Sequence, residues 1–146
     1  MALSEFSVLS SVLCEEVRQE ANGQAIIIGA MTNGPNVSDD DDTRVNRLAL
    51  YLEVQMPSER IDLHIRLVKC DAEEPVLYAD VDTTKMYDSM PEPEKWFKNP
   101  IAIVVMSRES FSMKGSGDYH LQYATEEGKW EDHRVFYFPP EDTNEE

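Results

Sequence analysis

The sequence predicts an all-β fold, an antiparallel two-layer β-sandwich of about eight strands with at most one short helix. Three observations carry that expectation. Two extended runs meet at Asn22-Gly23, and both residue types tolerate the positive φ that a two-residue type I′ hairpin turn needs at its central positions. Residues 47–55 and 61–67 alternate apolar and polar side chains at period two, the pattern of half-buried strands. No stretch sustains an apolar pattern at helical period.

The first hairpin spans residues 12–31, and its second arm carries Ile26, Ile27 and Ile28, β-branched residues suited to a pleated sheet. A two-residue turn sets Val17 opposite Ile28 and Gln19 opposite Ile26. Glu16, Arg18 and Glu20 then lie opposite Gly29, Ile27 and Ala25, so charge and apolar bulk share one face. Residues 33–46 contain Gly34, Pro35 and four consecutive aspartates, which break every periodicity and predict an exposed loop.

In residues 47–55, Leu48, Leu50, Leu52 and Val54 point one way. After a turn at Pro57-Ser58, Ile61, Leu63, Ile65 and Leu67 repeat the pattern. A polar turn at 71–75 leads to a short strand over 76–81, which is polar, preceded by a proline and therefore placed at a sheet edge. Residues 82–100 carry Pro91, Pro93 and Pro100. They suit a long connection between sheets, with one helical turn around 94–97 and with Trp96 and Phe97 plugging an end of the core. The continuous apolar run over 101–107 reads as a central strand, extended to Phe111 and Met113 past a bulge at 108–110. Tyr119, Leu121 and Tyr123 alternate against His120 and Gln122, and a turn at 126–128 leads to a last strand over 129–138. One domain is expected over residues 1–138, followed by a disordered acidic tail over residues 139–146.

Composition narrows the function classes. A net charge of -16 and a pI near 4.4 oppose any role that depends on neutralising phosphates, so direct nucleic-acid binding is not expected. The longest apolar runs are strand-length, which argues against a membrane protein. The opening MALSEFSVLSSVL lacks a basic segment and is interrupted by Glu5, which predicts a cytoplasmic location. Cys14 and Cys70 are expected to be reduced and buried; Glu15 and Glu16 beside Cys14 disfavour the thiolate a nucleophile needs.

Few constellations suggest chemistry. Asp39, Asp40, Asp41 and Asp42 offer the oxygen ligands that calcium prefers, but they lack alternating ligand spacing and a turn glycine, so a solvated loop is the simpler reading. His64, His120 and His133 fall at polar-facing strand positions without a metal-ligand spacing. Asp118 near His120, and Glu131 and Asp132 near His133, are candidate acid–base neighbours by proximity, though Asp132, adjacent to His133, points to the opposite strand face. Gly115-Ser116-Gly117 lacks the lysine of a phosphate loop and reads as a tight turn. No catalytic residue and no cofactor is assigned. The candidate binding residues are Glu16, Arg18, Glu20 and Ile27 on the hairpin, with Arg18 either bridging Glu16 and Glu20 over Ile27 or anchoring a partner.

The segment G-x-G-D-Y-x-L-x-Y around Tyr119 resembles the corner of immunoglobulin-like domains, where a tyrosine near a strand start bonds back to nearby backbone. The segment with Cys14, Glu15, Glu16, Arg18, Gln19, Glu20, Gly23 and Gly29 resembles the opening of a family of small bacterial and phage proteins with no assigned function. That resemblance implies a bacterial or phage origin and a compact β domain, and supplies no catalytic residues.

The function expected is a non-enzymatic protein-binding domain. The alternatives are an acidic phage-type inhibitor that mimics nucleic-acid charge toward a host nuclease or defence enzyme, and a small enzyme on a β scaffold. The expected partner is a protein, plausibly basic. The edges at 76–81 and at the first hairpin are where a second copy would pair to form a homo-oligomer.

Overall fold

The computed structural model describes residues 6–21, 24–57, 60–70, 72, 74–90, 100–125 and 129–141. They form nine strands and one helix: β1 Ser7–Cys14, β2 Glu16–Gln19, β3 Ala25–Ile28, β4 Thr43–Gln55, β5 Asp62–Lys69, β6 Leu77–Asp82, α1 Thr83–Ser89, β7 Ile101–Met113, β8 Gly117–Ala124 and β9 Glu131–Phe138. One sheet has the order β1-β4-β7 and the other β6-β5-β8-β9, every pairing is antiparallel, and β2-β3 stands apart as a hairpin. The chain changes sheet after β4, β6 and β7, as in Greek-key sandwiches. The expected all-β sandwich is the observed architecture. Among the described residues no helix is long and apolar enough to cross a membrane.

The core follows the period-two patterns. Leu48, Leu50, Leu52 and Val54 of β4, and Leu63, Ile65 and Leu67 of β5, are at most 1% exposed, so each stabilises the fold by about 1.5–3 kcal/mol. Tyr119 and Leu121 of β8 and Phe136 and Phe138 of β9 complete the layer. β6 lies at an edge, as its composition predicts.

Several expectations are corrected. The first extended run is two strands, because the chain leaves the sandwich at Glu15: β1 pairs with β4, ending at Cys14 opposite Ala49, while Glu16 begins the hairpin. A bulge at Leu9 lets Val8, Ser11 and Leu13 all face inward. In the hairpin Glu16 faces Ile28, Val17 faces Ile27, Arg18 faces Ile26 and Gln19 faces Ala25. The Glu20 N–H donates to the Gln24 carbonyl at 2.7 Å, so residues 21–23 separate the last bonded pair, one more than a two-residue turn allows. Asn22 and Gly23 themselves lie outside the described residues. The one-residue slip exchanges the partners on each face.

β7 is an edge strand and not the central one expected from its apolar run. Ala102, Val104 and Met106 point inward, but Ile101, Ile103 and Val105 are exposed on an uncovered outer face. Its irregularity falls where the sequence placed it: Ser110 adopts φ 53°, and the inward set changes from Met106 to Phe111 and Met113. β4 changes in step, from Leu48 to Val45, so the register is continuous from Thr43 opposite Met113 to Gln55 opposite Ile101. β4 therefore begins four residues earlier than expected, at Thr43 rather than Arg47.

The helix precedes its expected position. Asp82 caps it by accepting the N–H groups of Thr84 and Lys85 at 3.0 and 3.3 Å, and Tyr87 plugs the sandwich end, donating its hydroxyl to the Pro57 carbonyl at 2.6 Å. The turn expected at 94–97, with Trp96 and Phe97, lies outside the described residues. Beyond β9 the chain stays attached: Val37 N–H donates to the Pro139 carbonyl, and Glu141 N–H to the Val37 carbonyl. The tail boundary therefore falls no earlier than Glu141, and residues 142–146 lie outside the described residues.

The tyrosine corner is present. Tyr119 donates its hydroxyl to the Gly115 carbonyl at 2.6 Å, and its ring lies 4.3 Å from that of Phe138. Gly115 and Gly117 supply the positive φ values of 103° and 124° that the corner needs. Burial, and secondarily the charge of Asp39, push the Tyr119 phenol up to about 12.

Tyr119→Phe is expected to lower stability by about 1–2 kcal/mol in urea unfolding, because the Gly115 carbonyl loses its donor. Since the folded state raises the phenol above its ordinary value near 10, its contribution is full below about pH 10 and is lost as pH rises toward about 12. Urea titrations across that window should show a decline that Tyr119→Phe reduces. Gly34→Ala places a methyl 2.5 Å from the Phe138 ring and should cost about 1–3 kcal/mol in the same assay.

Candidate interaction surfaces

The hairpin does not assemble the expected patch. Glu16 holds Arg47 of β4 at 2.9 Å and Arg18 at 3.5 Å, so its tighter contact ties the hairpin to the sandwich. Arg18 shares its face with Ile26, while Ile27 lies opposite Val17; the predicted cover of Ile27 by the Arg18 stem is replaced. Glu20 joins the turn through its backbone instead of bridging to Arg18. With Arg18 62% exposed, its pairing with Glu16 contributes little, about 0–1 kcal/mol.

The aspartate loop is organised by hydrogen bonds. Asp39 accepts the Ser116 backbone N–H at 2.7 Å and its hydroxyl at 2.9 Å, and these two bonds, the backbone one foremost, hold its carboxyl below the usual range. Asp40 and Asp41 donate their backbone N–H groups to the Ser38 hydroxyl, both at 3.1 Å. Among the described residues no three acidic, histidine or cysteine side chains converge, so Asp39, Asp40, Asp41 and Asp42 do not form a calcium cage. Gly115-Ser116-Gly117 is the tight turn that receives Asp39.

Cys14 is buried; its thiol donates weakly to the Ala49 carbonyl at 3.7 Å and is pushed up chiefly by burial. Cys70 is exposed, contrary to expectation, because β5 ends at Lys69, and both thiols are free.

Sequence reasoning missed the outer face of the four-stranded sheet. Register sets Tyr78 and Gln122 on either side of Arg66, Asp80 across from His64, and Asp132 across from Gln122. His64 Nδ1 lies 2.6 Å from Asp80 Oδ1 and 3.3 Å from the Tyr78 hydroxyl. Hydrogen bonding from His64, and then from Tyr78, lowers the Asp80 carboxyl.

Arg66 Nε donates to Gln122 Oε1 at 2.8 Å, Gln122 Nε2 donates to Asp132 Oδ1 at 2.6 Å, and the Arg66 guanidinium lies 3.9 Å from the centre of the Trp130 ring. His120 Nδ1 is 3.3 Å from Asp132 Oδ2, close but without hydrogen-bond alignment. His64 is thus partnered across strands, while His120 Nδ1 is buried without a hydrogen-bond partner among the described residues. His133 sits at the β9 irregularity, where burial and then Arg134 push its pKa down. The His64 contacts order a polar surface across β5 and β6.

The outer face of the three-stranded sheet is different in kind. Cross-strand rows run Val12, Tyr51, Val105; then Ser10, Glu53, Ile103; then Ser7, Gln55, Ile101. Ile101, Ile103 and Val105 are 60%, 46% and 39% exposed, and Leu9 in the β1 bulge is 48% exposed. Ser10 donates to Glu53 at 3.0 Å, leaving one carboxylate amid apolar neighbours.

The Asp80 carboxyl should titrate below the ordinary aspartate value by NMR, and His64→Ala should move it back up, because the leading cause of its depression is then gone.

Comparison of the chain with protein-family models, with curated proteins and with solved structures finds no match.

Proposed function

We propose that this is a non-enzymatic protein-binding domain whose partner docks on the outer face of the β1-β4-β7 sheet. The row of Ile101, Ile103 and Val105, continued by Tyr51 and Val12, carries this reading. An apolar row exposed on an otherwise acidic domain costs solubility, and burying it against a partner recovers about 25 cal/mol per Å² of apolar surface. The net charge of -16 favours a basic partner and speeds the encounter. A bacterial or phage origin belongs to the same proposal through the resemblance of residues 14–29.

The acidic charge also supports a second reading, an inhibitor that mimics nucleic acid. Salt separates the two: docking on the apolar row weakens modestly as ionic strength rises, whereas charge mimicry weakens steeply.

Immobilised protein should retain its partner at least tenfold better than Ile103→Lys, with unchanged thermal unfolding and with Arg18→Ala binding as wild type does. Equal retention by Ile103→Lys removes the apolar face from the explanation.

A further inference from the structure

We propose that residues 101–107 of β7 accept an added strand from the partner, an extended segment with apolar side chains on one face and Lys or Arg among the others. This rests on the protein-binding reading and specifies how the partner is held.

The argument comes from the sheet edges. An edge strand presents alternate N–H and C=O groups without partners, and soluble proteins guard such edges with charges, prolines, bulges or covering contacts. Of the four edges of the two larger sheets, three are guarded among the described residues. β6 carries Asp80 and Asp82 and follows Pro75. β9 carries Glu131, Asp132, His133 and Arg134 and is irregular in register. β1 has the Leu9 bulge, and Arg134 reaches across to it, donating to the Ser11 carbonyl at 2.8 Å and hydroxyl at 3.0 Å.

The fourth edge is guarded over only half its length. Arg108 donates to the Val76 carbonyl at 3.2 Å, Glu109 is charged and Ser110 kinks the strand. From Ile101 to Ser107 there is no charge, proline, glycine or bulge, and among the described residues β4 is the only hydrogen-bonded neighbour. An added strand would pair with the free backbone groups there, and its apolar side chains would lie beside Ile101, Ile103 and Val105.

Charge selects the occupant. Glu53 stands in the middle of the exposed rows, and β6, which lies alongside β7, carries Asp80 and Asp82. A second copy would bring another -16 and oppose like charges, whereas a basic segment meets complementary ones.

The test uses a capped peptide alternating lysine and valine, a version of it methylated at every backbone N–H, and a lysine–serine peptide of equal charge. The full chain should bind the first at least tenfold more tightly than either other peptide. Ile103→Lys and Glu53→Lys should each weaken that binding at least tenfold, and amide exchange should slow within residues 101–107. Equal binding of the methylated peptide overturns strand addition while leaving docking on the face intact. Equal binding of the lysine–serine peptide, or none by any peptide, also overturns it. Self-association abolished by Ile103→Lys in sedimentation would assign the edge to a second copy and overturn the basic occupant.

Discussion

The inward row of β4 is the constraint on which the rest of the fold depends. Leu48, Leu50, Leu52 and Val54 must face the row of Leu63, Ile65 and Leu67 on the opposite sheet, and strand period two then dictates what every neighbour presents inward and outward. The same constraint explains the kink at Ser110. Val45, Phe111 and Met113 also belong to the core, but they fall on the wrong parity for a regular strand. β4 and β7 change parity together and keep their pairing, at the cost of one non-glycine residue in the left-handed region, about 1–2 kcal/mol. Burial of one large aromatic such as Phe111 offsets that.

The corners of the sandwich are closed by side chains that satisfy backbone groups. Tyr119 serves the Gly115 carbonyl, Tyr87 the Pro57 carbonyl, and Thr83 both accepts from the Ile61 N–H and donates to its carbonyl at 2.6 Å. Arg134 plays the same part between β9 and β1, where Ser11 would otherwise be a buried hydroxyl without a donor. Such bonds add modestly when made and cost more when one partner is removed, so they fix the geometry of the ends more than they drive collapse. They also leave the chain free to vary its outer faces.

Legibility in the sequence follows the range of the interaction. Local alternation revealed the inward faces of β4, β5 and β8, and the G-x-G-D-Y segment marked a corner whose hydrogen bond spans four residues. The central position expected for residues 101–107 failed because an apolar run reports affinity for a covered surface, not whether this chain supplies the cover. The Arg18–Ile27 pairing failed because one extra residue between the hairpin arms reverses the faces, and composition does not count that residue. The pair His64–Asp80 and the chain Arg66–Gln122–Asp132 are invisible in the sequence because their bonded residues lie 10 to 56 positions apart and meet only through register. Adjacency along one strand sends side chains to opposite faces, whereas a sheet brings together residues on different strands.

The distribution of positive charge bears on what the surface recognises. Arg60, Arg66, Arg108 and Arg134 lie over the rings of Tyr87, Trp130, Phe111 and Phe136, and Arg47 is held by Glu16. Arg60 and Arg47 stay about half exposed in these contacts, so their charges remain at the surface and are already counted in the net charge of -16. The excess of carboxylates gives the domain a negative field, and under the proposed function that field favours basic surfaces over nucleic acid. That field acts over roughly a Debye length and cannot choose among basic partners. On the proposed reading, discrimination comes from short-range contact, and the uncharged length of β7 beside Tyr51 and Val12 brings apolar area to an edge with no hydrogen-bonded neighbour strand beyond β4 among the described residues.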